Sequence, residues 1–224
     1  ALDSVDLLAP VARPGSVVAI GLNYADHARE TGAELPAAPV SFAKLPQAVI
    51  GPGAAITWTP DQSGQVDYEA ELALVIGRDA RDVPVERALD HVLGYTCCND
   101  VSARDAQFSD GQWLRAKSFD TFCPLGPWLV TPDEIPDPQD LWIRCRVNGE
   151  TLQDSTTAQM IFGVAEVIAY LSRFLTLRAG DVITTGTPAG VGFGRRPPIF
   201  LRPGDTVEVE IEGIGVLANP CRTP

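Results

Sequence analysis

The chain has 224 residues, of which 45% are hydrophobic, enough for one large domain or two small ones. It carries 17 Lys and Arg against 29 Asp and Glu, a net charge of −12. Nucleic acids and anionic membranes bind basic surfaces, so this charge excludes both as expected partners. The five cysteines form an odd set without a C-x-x-C pair, a pattern typical of reduced, buried thiols in a cytoplasmic protein.

Neither a signal peptide nor a membrane span is predicted. Asp3 and Asp6 stand where a signal peptide has its basic segment, and no apolar run approaches the roughly 20 residues that cross a bilayer. The first residue is Ala1 rather than Met, which is the pattern expected when a preceding segment is missing. Residues 1–15 are expected to form an irregular lead-in.

Residues 16–22 (SVVAIGL) predict a short buried strand, and the ten residues that follow it predict a short helix. Asn23 is the expected N-cap of this helix, and Gly32 is its expected stop. In a helix His27 and Glu30 lie three residues apart on one face and can form a hydrogen bond. The alternative is an exposed histidine on a surface helix.

Residues 67–76 (DYEAELALVI) predict a strand in which Glu69 and Glu71 share a face, because alternate side chains of a strand point the same way. The other face carries the apolar set Tyr68, Ala70, Leu72, Leu74 and Ile76. The carboxylate face continues into Ala73 and Val75, so the strand is expected to be buried on both sides.

Two neighbouring carboxylates in such a strand repel each other, and burial adds to the penalty. A hard divalent cation with oxygen ligands removes that repulsion, and a third carboxylate would complete its ligand set. The alternative is a strand end at the surface with two solvated glutamates. The residues of this stretch leave both interpretations open.

A second strand, residues 95–100 (YTCCND), delivers Asp100 at its end. The polar stretch that follows carries Arg104 and Gln107. Further along, Lys117 stands among aromatic residues, which is unusual for a solvated charge.

The second half of the chain alternates short strands with one long helix. Residues 142–147 alternate and end at an Asn-Gly pair, which predicts a hairpin. Residues 159–175 have helical spacing of apolar positions, with Gly180 as the expected stop. Strands are predicted at 182–185 and 206–211.

Residues 185–194 (TGTPAGVGFG) are rich in glycine but lack the G-K-[ST] and helix-opening G-x-G-x-x-G patterns, so we reject a nucleotide-binding loop. Many short strands, frequent Gly and Pro and one long helix predict a mainly β fold with minor α structure. We expect a single domain over residues 1–224.

Five stretches in chain order resemble the fumarylacetoacetate hydrolase family. They are GLNYADHARETG at 21–32, DYEAEL at 67–72, GYTCCNDVSARDAQ at 94–107, KSFDTFCPLGP at 117–127 and TGTPAGVG at 185–192. The resemblance implies a mixed β-sandwich roll and a homodimer. Longer members of the family carry an N-terminal extension that is absent from this sequence.

The resemblance also assigns roles to individual residues. It implies that Glu69, Glu71 and Asp100 are the metal ligands and that the ion is Mg²⁺ or Mn²⁺. His27 matches the catalytic base of the family, and Glu30 matches the partner that orients it.

Four further positions match groups that contact the substrate in the family. Arg104, Gln107 and Lys117 match residues that bind substrate or an oxyanion. The resemblance also implies that Lys117, like His27 and Glu30, is a catalytic residue. Thr187 matches the hydroxyl that meets the carboxylate of a small 2-oxo acid substrate.

The implied activity is hydrolysis of the C–C bond of acylpyruvate-type 2,4-dioxo acids, a reaction of aromatic compound catabolism, through a metal-stabilised pyruvate enolate. In that reaction His27 takes a proton from the attacking water, while Lys117 and Gln107 hold the oxyanion. The same site suits decarboxylation of an oxaloacetate-type acid or isomerisation of 2-hydroxyhepta-2,4-diene-1,7-dioate. A catalytically silent metal-binding protein is the remaining alternative.

Overall fold

The structure is a computed structural model that describes residues 5–224. The strands are β1 (Val17–Gly21), β2 (Val40–Lys44), β3 (Val49–Ile50), β4 (Ile56–Thr57), β5 (Val66–Asp67), β6 (Ala70–Ile76), β7 (Val92–Asn99), β8 (Ser102–Ala103), β9 (Cys123–Val130), β10 (Trp142–Val147), β11 (Glu150–Thr156), β12 (Val182–Thr184), β13 (Thr206–Ile211) and β14 (Gly215–Arg222). The helices are α1 (Ala25–Thr31), α2 (Val85–Ala88), α3 (Arg104–Asp110), α4 (Trp113–Lys117) and α5 (Val164–Phe174). Within residues 5–224 no helix is long and apolar enough to cross a bilayer.

Most of the strands belong to two sheets. The larger has seven strands in the order β2-β1-β12-β6-β7-β9-β3, and the second has five in the order β11-β10-β13-β14-β4. β6 runs antiparallel to both of its neighbours, β12 and β7, whereas β1 and β12 are parallel. The prediction of a mainly β fold with minor α structure is confirmed.

One face of the larger sheet packs against the smaller sheet. Leu72 and Leu74 of β6 and Cys97 of β7 enter the same buried cluster as Ile143 of β10 and Val209 of β13. Each fully buried aliphatic side chain of this size stabilises the fold by roughly 1.5–3 kcal/mol. This core fixes the strands that carry the predicted carboxylates.

The opposite face of the larger sheet is buried as well. Ala73, Val75 and Cys98 belong to a second cluster, so β6 is covered on both sides as the sequence predicted. Glu69 is 5% exposed and Glu71 is 1% exposed. The alternative of two solvated glutamates at a surface strand end is therefore excluded.

The strand predicted over residues 67–76 is interrupted after Asp67. The amide of Tyr68 donates to the Asp67 carboxylate at 2.9 Å, and the amide of Glu69 donates to Asn99 Oδ1 at 3.0 Å. Side chains thus replace the strand partners of two backbone amides, and the regular ladder begins only at Ala70.

Asn23 was predicted as the N-cap of the first helix, and this prediction was wrong. Tyr24 takes that position, and no side chain caps it. Asn23 instead donates its amide to Phe162 O at 3.0 Å and Thr185 O at 2.8 Å, which ties the start of α1 to two distant loops. Gly32 ends the helix in a left-handed conformation, as predicted.

The long helix was predicted to begin at Gln159, but α5 begins at Val164. The amides of Ile161 and Phe162 donate to the backbone and side-chain oxygens of Asn23 at 2.7 and 2.9 Å, so they cannot donate within a helix. The helix also ends at Phe174, well before Gly180, because Leu175 is extended.

The predicted hairpin between β10 and β11 is confirmed. Asn148 and Gly149 have φ values of 53° and 81°, the positive pair that a tight two-residue turn requires.

Candidate active site

A cavity of about 120 Å³ lies at one end of the larger sheet, where β1, β7 and β12 finish and β6 begins. Eight of the nine predicted site residues line it, and the ninth, Glu30, bonds to His27. The lining residues are Ile20, Gly21, Leu22, His27, Phe42, Glu69, Glu71, Asp100, Arg104, Gln107, Phe108, Trp113, Lys117, Thr187 and Phe193. A larger groove of about 630 Å³, lined by α2 and α5, holds none of the predicted residues.

Strand pairing brings the three predicted metal ligands together. Glu71 is in β6, Glu69 precedes that strand, and Asp100 follows β7, whose Asn99 pairs with Ala70. One carboxylate oxygen from each of the three acids lies within 4.8 Å of the other two. All three side chains are buried.

Three basic side chains, Lys44, Arg104 and Lys117, balance part of this negative charge. Lys117 Nζ donates to Glu69 Oε2 at 2.5 Å and to Asp100 Oδ2 at 2.8 Å, and Arg104 Nη2 donates to Glu69 Oε1 at 2.5 Å. Burial would raise the pKa of Glu69, but Lys117 and Arg104 outweigh it and lower that pKa to about 2. Burial would lower the pKa of Lys117, yet Asp100 and Glu69 raise it.

Glu71 lacks a basic partner at hydrogen-bonding distance in the described chain. Its Oε2 accepts the backbone amide of Gly186 at 3.0 Å. Burial raises its pKa well above the ordinary value, and the charges of Asp100 and Glu69 raise it further. A buried set of three oxygen donors with an unbalanced carboxylate fits a hard divalent cation such as Mg²⁺ or Mn²⁺.

His27 and Glu30 form the pair expected from their spacing. His27 Nδ1 lies 3.3 Å from Glu30 Oε2, and His27 is 6% exposed, which excludes the surface-histidine alternative. An ionised carboxylate only accepts hydrogen bonds, so Nδ1 carries the proton and the lone pair of a neutral ring lies on Nε2. The ring packs edge-on against Phe193, with centroids 6.3 Å apart.

Each of the three nitrogens of Arg104 donates a hydrogen bond to a protein group. Besides Glu69, it donates from Nε to Asp67 Oδ2 at 2.8 Å and from Nη1 to Gln107 Oε1 at 2.9 Å. Its guanidinium lies 4.4 Å from the centroid of the Phe193 ring. These bonds hold Arg104 against Glu69, and the Gln107 amide nitrogen, which also lines the cavity, is able to donate to a ligand.

Thr187 lines the cavity, but its hydroxyl proton is already used. Oγ1 donates to Ala70 O at 2.9 Å and accepts from Gln153 Nε2 at 2.8 Å. Contact with a substrate carboxylate needs a donor, so this hydroxyl would have to release Ala70 first.

The glycine-rich segment over residues 185–194 binds carboxylates of the protein itself. Besides the Gly186 amide on Glu71, the amides of Gly192 and Phe193 donate to Asp67 at 2.8 and 3.1 Å. Asp67 in turn holds Arg104. The segment thereby links the predicted metal ligands to a buried ion-pair network.

Comparison with known proteins identifies the family of the chain. A family model described as Fumarylacetoacetate (FAA) hydrolase C-terminal matches residues 16–222. The chain belongs to this family.

Several named proteins of the fumarylacetoacetate hydrolase family are similar to the chain over almost its full length. The mitochondrial oxaloacetate tautomerase fahd2 of Xenopus laevis is 50% identical over 219 residues, which are 97% of this chain and 68% of that protein. The structure of 5-carboxymethyl-2-hydroxymuconate delta-isomerase from Mycobacterium smegmatis is 48% identical, with a TM-score of 0.88 over 100% of this chain and 84% of that one. Fumarylacetoacetate hydrolase from Exiguobacterium antarcticum is 46% identical, with a TM-score of 0.93 over 100% and 80% of the two chains. The fold expected from the resemblance is confirmed.

Sequence reasoning missed several residues of this family site. Lys44 and Asp67 are buried ionic partners of the predicted residues, and Gln153 holds Thr187. The aromatic lining residues Phe42, Phe108, Trp113 and Phe193 were also missed. A signal for Lys44 did exist, because the sequence contains just two lysines, Lys44 and Lys117.

Proposed function

We propose that the protein is a divalent-metal-dependent enzyme that interconverts the keto and enol forms of a small 2-oxo dicarboxylic acid of the oxaloacetate type. One observation carries the proposal: a histidine oriented by a carboxylate lines the same small cavity as three clustered carboxylates. The 50% identical relative named oxaloacetate tautomerase supports this choice of reaction.

Glu69, Glu71 and Asp100 would hold the cation, which supplies a Lewis acid for the 2-oxo group of a bound substrate. The chain provides the proton transfer. His27 Nε2 takes a proton from the carbon next to the keto group. The resulting imidazolium then donates this proton to the oxygen of the enolate, which completes the enol. Glu30 keeps Nδ1 protonated and stabilises the charged ring during the transfer.

The size of the cavity favours a small substrate. Pockets for drug-sized ligands have volumes of roughly 300–1,000 Å³, well above the volume of about 120 Å³ found here. A four-carbon diacid suits such a cavity better than the seven-carbon dienedioate considered from the sequence.

Hydrolysis of acylpyruvates, the activity first expected from the sequence, is the second candidate. Lys117 and Gln107 favour it, because both line the cavity and carry donors that would meet an oxyanion. The family likeness to fumarylacetoacetate hydrolase is consistent with it.

A substrate panel with added Mn²⁺ or Mg²⁺ tests the proposal. With oxaloacetate, we expect catalysed loss of the enol absorbance and catalysed deuterium uptake at the methylene carbon, without stoichiometric pyruvate. If the enzyme leaves both rates at background and releases pyruvate and free acid from acetylpyruvate, hydrolysis replaces tautomerisation. If oxaloacetate instead yields pyruvate and CO₂ at the rate at which the enol is lost, decarboxylation replaces it.

We also propose a cytoplasmic homodimer that acts in aromatic compound catabolism, as expected from the sequence. Light scattering coupled to size-exclusion chromatography measures the mass of the protein in solution. A mass equal to one chain across the concentrations used for assay would refute the dimer.

A further inference from the structure

The two lysines of the sequence meet at one carboxylate. The other 15 basic residues, out of 17 in all, are arginines. Lys44 and Lys117 are 1% and 3% exposed, and both donate to Asp100. A lysine is a compact point charge with three donors, whereas arginine is a planar fork, so the two are not equivalent at a buried site.

Lys44 uses its donors on groups that define the site. As the last residue of β2, it donates to Asp100 Oδ1 at 2.5 Å and approaches Val101 O at 3.4 Å. It also donates to the backbone carbonyl of Lys117, at the end of α4. Its side chain is completely buried, as is that of Asp100.

These contacts divide the two oxygens of Asp100 between two ammonium groups. Lys44 binds Oδ1, whereas Oδ2 binds Lys117, whose ammonium group also binds Glu69. Lys44 therefore fixes the rotation of the carboxylate, and through the carbonyl of Lys117 it also fixes the helix end that carries the second lysine.

We propose that Lys44 is a positioning residue of the metal centre: it holds Asp100 by Oδ1 so that Oδ2 is presented to the cation, and it sets the place of Lys117. This inference rests on the metal dependence in the proposed function. Groups that bind the outer atoms of metal ligands typically contribute about 10–100-fold to metal affinity. A purely structural ion pair would affect stability alone, and buried pairs are weak evidence even for that.

The variant Lys44→Met tests the inference, because it keeps much of the side-chain length and removes the charge and donors. Asn219→Leu is the matched control. Asn219 is also 1% exposed, and its amide donates to Gly51 O at 2.9 Å and Ala54 O at 2.8 Å, away from the cavity. Mn²⁺ affinity is measured on the folded proteins by electron paramagnetic resonance, beside circular dichroism and thermal unfolding.

We expect Lys44→Met to weaken Mn²⁺ binding about 10–100-fold. Asn219→Leu should lower the unfolding temperature and leave Mn²⁺ affinity unchanged. Wild-type affinity in folded Lys44→Met overturns the inference and leaves the proposed function standing. A wild-type protein that binds no Mn²⁺ removes both.

A crystal structure of the wild-type protein with Mn²⁺ gives a second measurement if Lys44→Met does not fold. The inference requires the ion on Oδ2 of Asp100 with Lys44 still on Oδ1. An ion bound by Oδ1, or by both oxygens with Lys44 displaced, overturns it.

Discussion

The backbone amide of Gly190 donates to both carboxylate oxygens of Glu30, at 2.9 and 3.1 Å. The same carboxylate bonds to His27, so a loop 160 residues further along the chain orients the proposed catalytic base. Gly190 has a φ of 102°, and a Cβ there would lie 2.2 Å from Leu152 O. This position therefore requires glycine for both conformation and space.

Gly190→Ala should reduce both stability and turnover. Gly180→Ala is the matched control, because Gly180 has a φ of 90° but nothing within 4 Å of its Cβ position. A left-handed backbone costs a residue with a Cβ roughly 1–2 kcal/mol, so the control should lose about that much stability and keep its turnover. Urea unfolding and kcat measure the two effects. Equal losses of stability with wild-type kcat in both variants would contradict the role assigned to the Gly190 amide.

His27→Ala should lower turnover about 10²–10⁴-fold, because the imidazole is the proposed proton carrier. Mn²⁺ affinity should be retained, because His27 is not a predicted metal ligand. The sequence has two histidines, and His91→Ala is the natural control. His91 lies outside the cavity and bonds to Arg78 O at 3.1 Å. If His27→Ala tautomerises oxaloacetate at the rate of His91→Ala, His27 is not the base.

Glu71→Gln should weaken Mn²⁺ binding by more than about 100-fold, since even outer partners of metal ligands contribute about 10–100-fold. The side chain keeps its shape and still accepts the Gly186 amide. Glu208→Gln makes the same chemical change on the smaller sheet, where Glu208 pairs with Arg146 at 2.9 Å. Calorimetric titration of both variants measures the difference, and an affinity equal to that of the Glu208 variant would remove Glu71 from the ligand set.

The free energy of unfolding of the metal-free protein should fall as the pH rises above the ordinary pKa of a glutamate side chain. Burial, Asp100 and Glu69 raise the pKa of Glu71, so in that window the native state holds a proton that the unfolded chain has released. The difference in bound protons, unfolded minus native, is then negative, and so is the slope of the unfolding free energy against pH. The lowered pKa of Glu69, about 2, acts in a separate window: its stabilisation is lost only as the pH falls below the ordinary value.

Urea unfolding in the presence of a chelator, repeated across the upper window, measures this slope. Glu71→Gln should flatten it, because the titrating group is gone. An identical slope in the two proteins would show that another group causes it.

The parts of the site that the sequence predicted depend on local rules. Alternation along β6 places Glu71 on the face shared with Ala73, and helical spacing places His27 beside Glu30. Asp100 follows from the end of a recognisable strand. These local rules predict which side chains lie on one face or at one strand end, whereas the roles of metal ligand and catalytic base came from the family resemblance.

The parts that were missed depend on contacts between distant segments. Lys44 is 56 residues from Asp100, and its strand β2 pairs with β1 at the edge of the larger sheet rather than with β7, the strand that Asp100 follows. Asn23 is a good N-cap by residue type, yet two loops more than 130 residues away bind its amide. The residue type and its sequence neighbours suggest a local role for such a residue. The tertiary fold then decides which partner its side chain binds.

The burial of both lysines has a consequence for chemical labelling. Among the 224 residues, the side-chain amines are those of Lys44 and Lys117, and both lie against Asp100. Because both lysines are buried, an amine-directed acylating reagent reaches their side chains only when the cavity opens locally. Acylation of these two residues, followed by mass spectrometry of their peptides, therefore counts openings of the active site without a background from surface lysines.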